Sequence, residues 1–263
     1  LIDSVKESMD RDENYWLALR IFNDINDAKT VYLISGITQS IELYEPCDSE
    51  YVLKHYGYQV PDEKKEFSEH VSEVVGVKLK PKQEKILYFK IKSELNLKLD
   101  PLFKIQEQGK HKEYVGMIDL IQGFFHGLIW MMIIFSFFSY IIIKDRIYLY
   151  YILYAFSFSL AIFILLGYPK HYIFSNIPFN VLYSEIIIQV GSVFYVMLFI
   201  STFDIKNISR KWYSILRLFL YFSIIGVAIT SILLFFDFYY YNHVSQVFLF
   251  IELVVFLVMV LLL

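Results

Sequence analysis

The chain has 263 residues, of which 57% are hydrophobic and 19% are charged, and its formal net charge is −3. This mildly acidic balance argues against a nucleic-acid partner. A single cysteine, Cys47, excludes an intramolecular disulfide framework and any multi-cysteine metal site, so we expect it to be structural or incidental. Phosphate-binding loops, paired metal ligands and nucleophile elbows are missing from the sequence, so no cofactor, metal site or catalytic residue is predicted.

Charge is concentrated in the first part of the chain. Residues 1–115 hold 17 of the 24 Lys and Arg and 21 of the 27 Asp and Glu, whereas the remaining 148 residues hold 7 and 6. The average composition therefore combines two regions that face different solvents. We predict a soluble domain over residues 1–113, of ordinary size for one domain, and a membrane domain over residues 114–263.

The soluble region alternates apolar and polar side chains with a period of two. Clusters of Asn, Asp, Gly and Pro separate the alternating segments, and no amphipathic helix is evident. Predicted strands cover residues 15–22, 29–35, 39–44, 73–79, 85–93 and 102–107. Short strands joined by turn signals favour an antiparallel β-sandwich similar to a jelly roll.

Aromatic residues supply the candidate ligand contacts of this domain. Exposed rings among Trp16, Tyr44, Tyr56 and Tyr58 would stack on sugar rings. Trp16 is retained as a candidate ligand-binding residue, although we expect its ring to face the core. The lysine-rich segment 78–92 is interpreted as the solvated face of strands, with an anion-binding face as the alternative.

Five apolar runs follow, each about as long as the 20 residues that a helix needs to cross a bilayer. The predicted spans cover residues of about 116–143, 147–167, 181–203, 212–236 and 243–263. The last run ends in Leu261-Leu262-Leu263 without a polar flank, so we expect the chain to continue beyond residue 263.

Basic residues in the short loops give the orientation. The loops after the first and third spans carry Lys144, Arg146, Lys206, Arg210 and Lys211. The loops after the second and fourth spans carry Lys170 alone. The first pair of loops is therefore predicted to be cytoplasmic, and the N-terminal domain to lie outside.

The first span has a polar stripe. Asp119, Gln122 and His126 recur at spacings of three and four, beside the small pair Gly123 and Gly127. Ionisable groups avoid lipid, so the stripe is expected to face the bundle or its outer mouth. It would form either a ligand-binding or proton-sensing site or a helix-packing surface.

Two further acids and one base lie in later spans. Glu185 is at the outer end of the third span and joins the candidate ligand-binding residues. Glu252 is the deepest acid, and we expect it to pair with His126, with Arg217 or with a group in a further span, because an uncompensated charge at that depth is costly.

Several short sequence motifs follow one another in a definite order along the chain. The N-terminal part has Tyr15-Trp16-Leu17 leading to Asn23, then Val31-Tyr32-Leu33 and Ile41-Glu42-Leu43-Tyr44. Segments 75–79, 87–93 and Pro101-Leu102-Phe103 follow. The membrane part opens with Gly123 and Gly127, continues with Lys144-Asp145-Arg146-Ile147-Tyr148-Leu149-Tyr150, and has Gly167 at the end of the second span.

In content and order, these patterns resemble the bacterial seven-transmembrane receptors with diverse intracellular signalling modules. Two departures stand out. Five spans are present instead of seven, and Ser136 and Ser139 occupy the region where the family often has a polar Asn late in the first span. The resemblance implies an N-terminal domain similar to carbohydrate-binding sandwiches and a cytoplasmic output domain after the last span.

We therefore predict a multi-pass sensory receptor of the inner membrane. Its partners would be the lipid bilayer and a small-molecule or glycan ligand, and this part of the protein would not be an enzyme. The alternatives are a transporter or intramembrane enzyme that uses Asp119, His126, Glu185 and Glu252 as a relay, and a membrane anchor that presents an adhesive β-domain. Whether Gly123 and Gly127 pack within one bundle or form a homodimer is left open.

Overall fold

The computed structural model describes residues 15–35, 40–47, 50–58, 60–68, 73–92, 104–175, 182–236 and 241–261. The chain forms two compact units. The first combines residues up to 119 with the segment 166–181, and the second combines residues 120–165 with 182–263. The predicted boundary after residue 113 lies inside a helix, and the first unit includes a loop from the membrane region.

The strands of the first unit form two antiparallel sheets. They are β1 Tyr15–Phe22, β2 Lys29–Ser35, β3 Ser40–Cys47, β4 Glu50–Tyr56, β5 Glu73–Leu79, β6 Glu84–Lys92 and β7 Lys104–Glu107. One sheet has the order β1-β6-β3-β4 and the other the order β5-β2-β7. The predicted antiparallel β fold is confirmed, although the sequence did not predict β4, and residues 102 and 103 of the last predicted strand lie outside the described residues.

Alternate side chains of both sheets meet in one hydrophobic core, as expected for strands with one buried face. It includes Leu33 and Val75 from one sheet and Leu43, Leu87 and Phe89 from the other. Tyr56 and Tyr58 are also almost completely buried. The expectation that these two tyrosines include exposed sugar-stacking rings is therefore wrong, since they contribute to the interior.

Strand β2 connects the two edges of the smaller sheet. It pairs with β5 through Leu33 and Val75, and with β7 through Leu33 and Ile105. Strand β7 passes directly into helix α1, Gln108–Ile143. Near the start of this helix, Gln108 donates a hydrogen bond of 3.0 Å to the Tyr32 hydroxyl. The beginning of the first span is therefore attached to this sheet.

Helices α2 Arg146–Leu165, α4 Tyr183–Thr202, α5 Ile205–Ile208, α6 Arg210–Phe235 and α7 Tyr241–Leu261 form most of the second unit. Within it, α4 packs against α2, α6 and α7. Among the described residues, α1, α2, α4 and α6 are long and apolar enough to cross a membrane, and residues 243–259 of α7 form a shorter apolar helix. Each lies on one of the five predicted spans.

Glycines mark where these helices approach closely. A Cβ atom added at Gly226 would lie 2.6 Å from the Phe248 ring of α7, so this ring packs directly against the glycine of α6. At Gly123 and Gly127, an added Cβ would meet nothing within 4 Å. The described helices therefore leave that pair of glycines uncovered.

Candidate functional site

The segment between α2 and α4 folds into a short helix, α3, Tyr168–Tyr172, which belongs to the same compact unit as the strands. Gly167 precedes it with a φ of 75°, a left-handed conformation that glycine adopts without strain. Pro169 lies in the first turn, where its missing N–H leaves no bond unmade. The His171 amide donates to the Gly167 carbonyl at 3.0 Å. The Ile173 amide donates to the Pro169 carbonyl at the same distance.

Lys170 of α3 enters a buried ionic cluster in the sandwich. Its Nζ lies 2.8 Å from Glu73 Oε1 and 3.6 Å from Asp62 Oδ1, and it donates to the Gly57 carbonyl at 3.2 Å. Lys65 Nζ lies 2.7 Å from Glu73 Oε2 and 3.2 Å from Asp62 Oδ1. The side chains of Lys170 and Glu73 are only 8% and 11% exposed. We call Asp62, Lys65, Glu73 and Lys170 the ionic cluster.

Two ammonium groups and two carboxylates balance each other in this cluster. Burial and the adjacent Lys65 charge lower the pKa of Lys170, although Glu73 opposes this. Burial also disfavours the charged form of Lys65, but Glu73 outweighs it and raises the Lys65 pKa. Burial by itself raises the pKa of Asp62, but Ser68 and the two ammonium groups lower it overall. The cluster is stable as a set, because removing one member leaves a buried charge without its partner.

Further bonds hold the same loop. The Asp62 amide donates to the Ser175 carbonyl at 2.9 Å, at the end of the described part of the loop. His171 Nδ1 lies 3.1 Å from Asp62 Oδ2. The loop is therefore attached to the sandwich through both backbone and side chains.

Asp119, a predicted ligand-binding residue, contacts the same loop. The Tyr168 hydroxyl donates a 2.7 Å hydrogen bond to Asp119 Oδ1. Both residues belong to the first compact unit. The carboxylate therefore connects α1 with α3.

The other members of the predicted polar stripe have separate surroundings. His126 Nδ1 lies 2.8 Å from Ser159 Oγ of α2, within the second unit. Gln122 is half-buried, and its Oε1 has no hydrogen-bond partner among the described residues. No hydrogen bond joins Asp119, Gln122 and His126 to one another among the described residues, so the three side chains of the stripe do not form one hydrogen-bonded cluster there.

Glu185 lies in a hydrogen-bonded chain between α4, α6 and α7. Ser245 donates to its Oε2 at 2.6 Å, and Gln189 donates to Ser245 Oγ at 3.4 Å. Thr230 donates to Gln189 Oε1 at 2.9 Å. This predicted ligand-binding residue is thus engaged in joining three helices.

Trp16 lies on the outside of the sandwich, where 60% of it is exposed. The expectation of a core-facing ring is wrong, because register places Trp16 on the same face as Lys90 and Glu42, opposite the buried Leu17 side. Its ring centroid lies 5.3 Å from that of Tyr44. Tyr51 and Tyr88 form a second pair at 6.0 Å. We call Trp16, Tyr44, Tyr51 and Tyr88 the aromatic face.

The two intramembrane polar candidates do not pair with each other. The Arg217 guanidinium donates to the Tyr221 hydroxyl one turn along α6, at 3.0 Å from Nη2. Glu252 is 6% exposed, and neither of its oxygens has a hydrogen-bond partner among the described residues. Two of the three expected partners of Glu252 are therefore excluded, because Arg217 and His126 bind other groups. The third, a group in a further span, stays a prediction.

The ionic cluster was not predicted from the sequence. Asp62 was read only as part of a turn, and Lys65 and Glu73 are ordinary charged residues of a soluble domain. One signal was available: Lys170 is the single basic residue in the two loops predicted to face outward. A lysine on that side is not explained by topology, so another role could have been sought for it.

An antiparallel β-sandwich that precedes apolar helices, and that binds a loop from between two of them, defines a multi-pass membrane protein with a soluble sensor-like domain. The model of the 7TM diverse intracellular signalling family matches residues 118–263. A second model, 7TMR-DISM extracellular 2, matches residues 8–102. No curated protein matches the chain significantly.

The chain belongs to the 7TM diverse intracellular signalling family, whose members are transmembrane receptors that sense extracellular signals. The resemblance inferred from the local motifs is confirmed. The protein is a multi-pass inner-membrane protein, and its N-terminal domain is extracytoplasmic. The loop that carries Lys170 follows α2 and is accordingly an outer loop.

Proposed function

We propose that the sandwich binds a carbohydrate outside the cell and passes that event through the helices to a cytoplasmic signalling module. The observation that carries this proposal is the burial of Lys170, from a loop between two spans, against Glu73 of the sandwich. A domain that was only tethered to the first span would not need this second attachment. The attachment gives a ligand-dependent change in the sandwich two routes into the membrane.

Both routes begin in one sheet. Glu73, at the start of β5, holds the outer loop through Lys170. Strand β7, on the other edge, continues into α1. Since β2 pairs with both edge strands, a shift of this sheet would act on the loop and on α1 together. Signalling requires only that the ligand binds one arrangement of these elements more tightly than another.

The aromatic face supports a carbohydrate as the ligand. Aromatic rings carry negative charge on their faces, which favours contact with the C–H faces of sugar rings. Trp16 and Tyr44 offer one such surface, and the adjacent Lys90 and Glu42, 3.3 Å apart, supply groups for hydroxyl recognition. Because the aromatic face lies on the sheet opposite β5 and β7, binding would act across the sandwich core.

Glycan binding by the complete receptor in nanodiscs tests the ligand. We expect Trp16→Ala to weaken binding of the recognised glycan at least about tenfold, since an aromatic contact is typically a major contributor to such sites. Ile25→Ala is the matched control, because Ile25 is an exposed apolar residue in the turn after β1. Equal binding by both variants, or no binding to any glycan in a broad panel, would contradict the carbohydrate proposal.

Coupling is tested separately in the same receptor. Lys170→Met should leave glycan affinity within about twofold while greatly reducing the ligand-dependent change in output activity, because it removes the loop attachment and leaves the aromatic face intact. Unchanged output control would show that the loop is not on the signalling route. Loss of glycan affinity itself would place Lys170 in binding instead of coupling.

A further inference from the structure

Helices α4, α6 and α7 contain two layers of buried polar side chains. The layer made by Glu185, Gln189, Thr230 and Ser245 is connected by hydrogen bonds of 2.6 to 3.4 Å. Glu252 lies seven residues after Ser245 on α7, and Ser223 lies seven residues before Thr230 on α6. Seven residues are two turns, about 10 Å along a helix, so these side chains return to the same helix faces at a second depth.

In the second layer, the buried oxygens are not connected by hydrogen bonds as they are in the first. Glu252 is 6% exposed and Ser223 is fully buried, yet Glu252 Oε1, Glu252 Oε2 and Ser223 Oγ make no hydrogen bond among the described residues. Helices α4 and α7 begin side by side, since the Tyr241 hydroxyl donates to the Leu182 carbonyl. Ser192, one turn after Gln189 on α4, therefore lies between the first layer and the depth of Glu252. The three buried oxygens of Glu252 and Ser223 have no hydrogen-bond partner among the described residues.

Ser192 is the nearest hydroxyl of α4 along the helix to this depth. Its hydroxyl proton is donated to the Gln189 carbonyl at 2.8 Å. The Ser192 oxygen therefore has only lone pairs left to offer a neighbouring group. The same lone pairs attract either the proton of a carboxylic acid or a metal cation.

Other charged and titratable groups on the packed helices do not neutralise Glu252 within the described structure. On α4, Glu185 bonds to Ser245, and the Tyr195 ring packs against Phe256. On α6, Arg217 bonds to Tyr221. The remaining such groups on these three helices are Tyr183, Arg210, Lys211, Tyr213, Tyr241 and His243, none of which hydrogen-bonds to Glu252. A carboxylate buried at this depth without a partner is strongly unfavourable.

We propose that Glu252, Ser192 and Ser223 form a binding site for one neutralising monovalent cation, either a proton or a sodium ion. A proton would convert Glu252 to a carboxylic acid that donates to a serine oxygen. A sodium ion would take the carboxylate and the two hydroxyl oxygens as ligands, as hard cations do. In both cases the cation ties α7 to α4 and α6, so the packing of the three helices depends on its occupancy.

Thermal unfolding of the complete receptor in nanodiscs tests the site and separates the two sources. If the cation is a proton, the unfolding temperature should fall by about 3 °C or more as the pH rises from about 5 to 9 in choline chloride. If it is sodium, replacing choline by sodium at about pH 8 should raise the unfolding temperature by a similar amount. Ser223→Ala should reduce either shift.

Glu252→Gln is the decisive variant, because its amide is neutral and nearly the same shape. It should unfold at nearly the same temperature in all these conditions. Glu185→Gln is the matched control, since Glu185 is an acid of the same bundle whose carboxylate is already bonded, and it should retain the response. A wild-type protein without either dependence, or an equal dependence in Glu252→Gln, would overturn the proposal. So would a Glu252→Gln protein that is less stable in every condition, because that result would indicate a basic partner elsewhere in the receptor.

Discussion

Glu73 and Glu252 are both buried carboxylates, but the two regions of the molecule treat them differently. In the sandwich, Lys170 and Lys65 each bind one oxygen of Glu73, at 2.8 and 2.7 Å. In the bundle, Glu252 is 6% exposed and has no hydrogen bond among the described residues. The protein itself supplies the cations for Glu73, and one of them comes from a loop between membrane spans.

This difference indicates two uses for a buried acid. A carboxylate with internal cations acts as a clamp, because its charge is compensated only while the loop is in place. Under our proposal, a carboxylate without them depends on a cation from solution. We therefore expect loop attachment to respond to substitution of its lysines, and bundle stability to respond to the ionic conditions.

The largest effect is expected from breaking the clamp. Lys170→Met leaves one oxygen of Glu73 unpaired in a buried site, which should weaken loop attachment by about 3–5 kcal/mol. Hydrogen exchange of the peptide covering residues 166–175 measures this, because the His171 and Ile173 amides are protected by bonds within the loop. Lys82→Met is the control: its partner Asp24, at 2.9 Å, is exposed, and such pairs contribute about 0–1 kcal/mol. Equal protection in the wild type and Lys170→Met would remove the distinction between Glu73 and Glu252.

A smaller effect is expected from loosening the packing that keeps Glu252 buried. In Gly226→Ala, the new methyl would lie 2.6 Å from the Phe248 ring, so the ring or the helix that carries it must shift, at a cost of about 1–3 kcal/mol. The stability of Gly226→Ala is measured by thermal unfolding. The control is Gly123→Ala, where nothing lies within 4 Å of the added carbon. A loss of stability in Gly123→Ala as large as that in Gly226→Ala would indicate that the uncovered glycine face is packed, for example in a homodimer.

The smallest effect is the acid dependence of the clamp. The pKa of Asp62 is lowered from its ordinary value of 3.8, so the folded cluster favours the carboxylate. Its contribution is complete above about pH 5 and is lost as the pH falls through the lower folded pKa. We expect the protection factors of residues 166–175, which account for the intrinsic pH dependence of exchange, to fall below about pH 4 in a His171→Gln background, which removes the imidazole contribution. Asp62→Asn should abolish this acid dependence, and an unchanged dependence would assign it to another group.

Much of the β fold could be predicted from the alternation of apolar and polar residues along the strands. Alternation predicted β1, β2 and β5 with the observed bounds, because each strand buries one face in the core. It did not predict β4, whose side chains other than Tyr56 are mostly exposed and therefore lack the alternation of a half-buried strand. Trp16 was placed inward because large aromatic residues are usually buried, but the register of β1 puts it outside.

The candidate site was harder to predict, because it joins residues that are distant in sequence. Lys170 and Glu73 are separated by 97 positions, and neither has a neighbour pattern that indicates a buried pair. Apolar run length and loop charge predicted the spans and their direction, since the bilayer imposes both. Which polar groups meet inside the bundle depends on helix rotation, so Glu252 could be singled out for its depth, but its surroundings could not be predicted.

Lys170 and Glu73 together fasten the outer loop to the sandwich. A double-mutant cycle of wild type, Lys170→Met, Glu73→Gln and the double variant measures their coupling, with the exchange of residues 166–175 as the readout. We expect the double variant to lose at least about 1 kcal/mol less protection than the sum of the losses in the single variants, as coupled neighbours do. Effects that add to within about 0.5 kcal/mol would contradict it, because independent sites behave in that way.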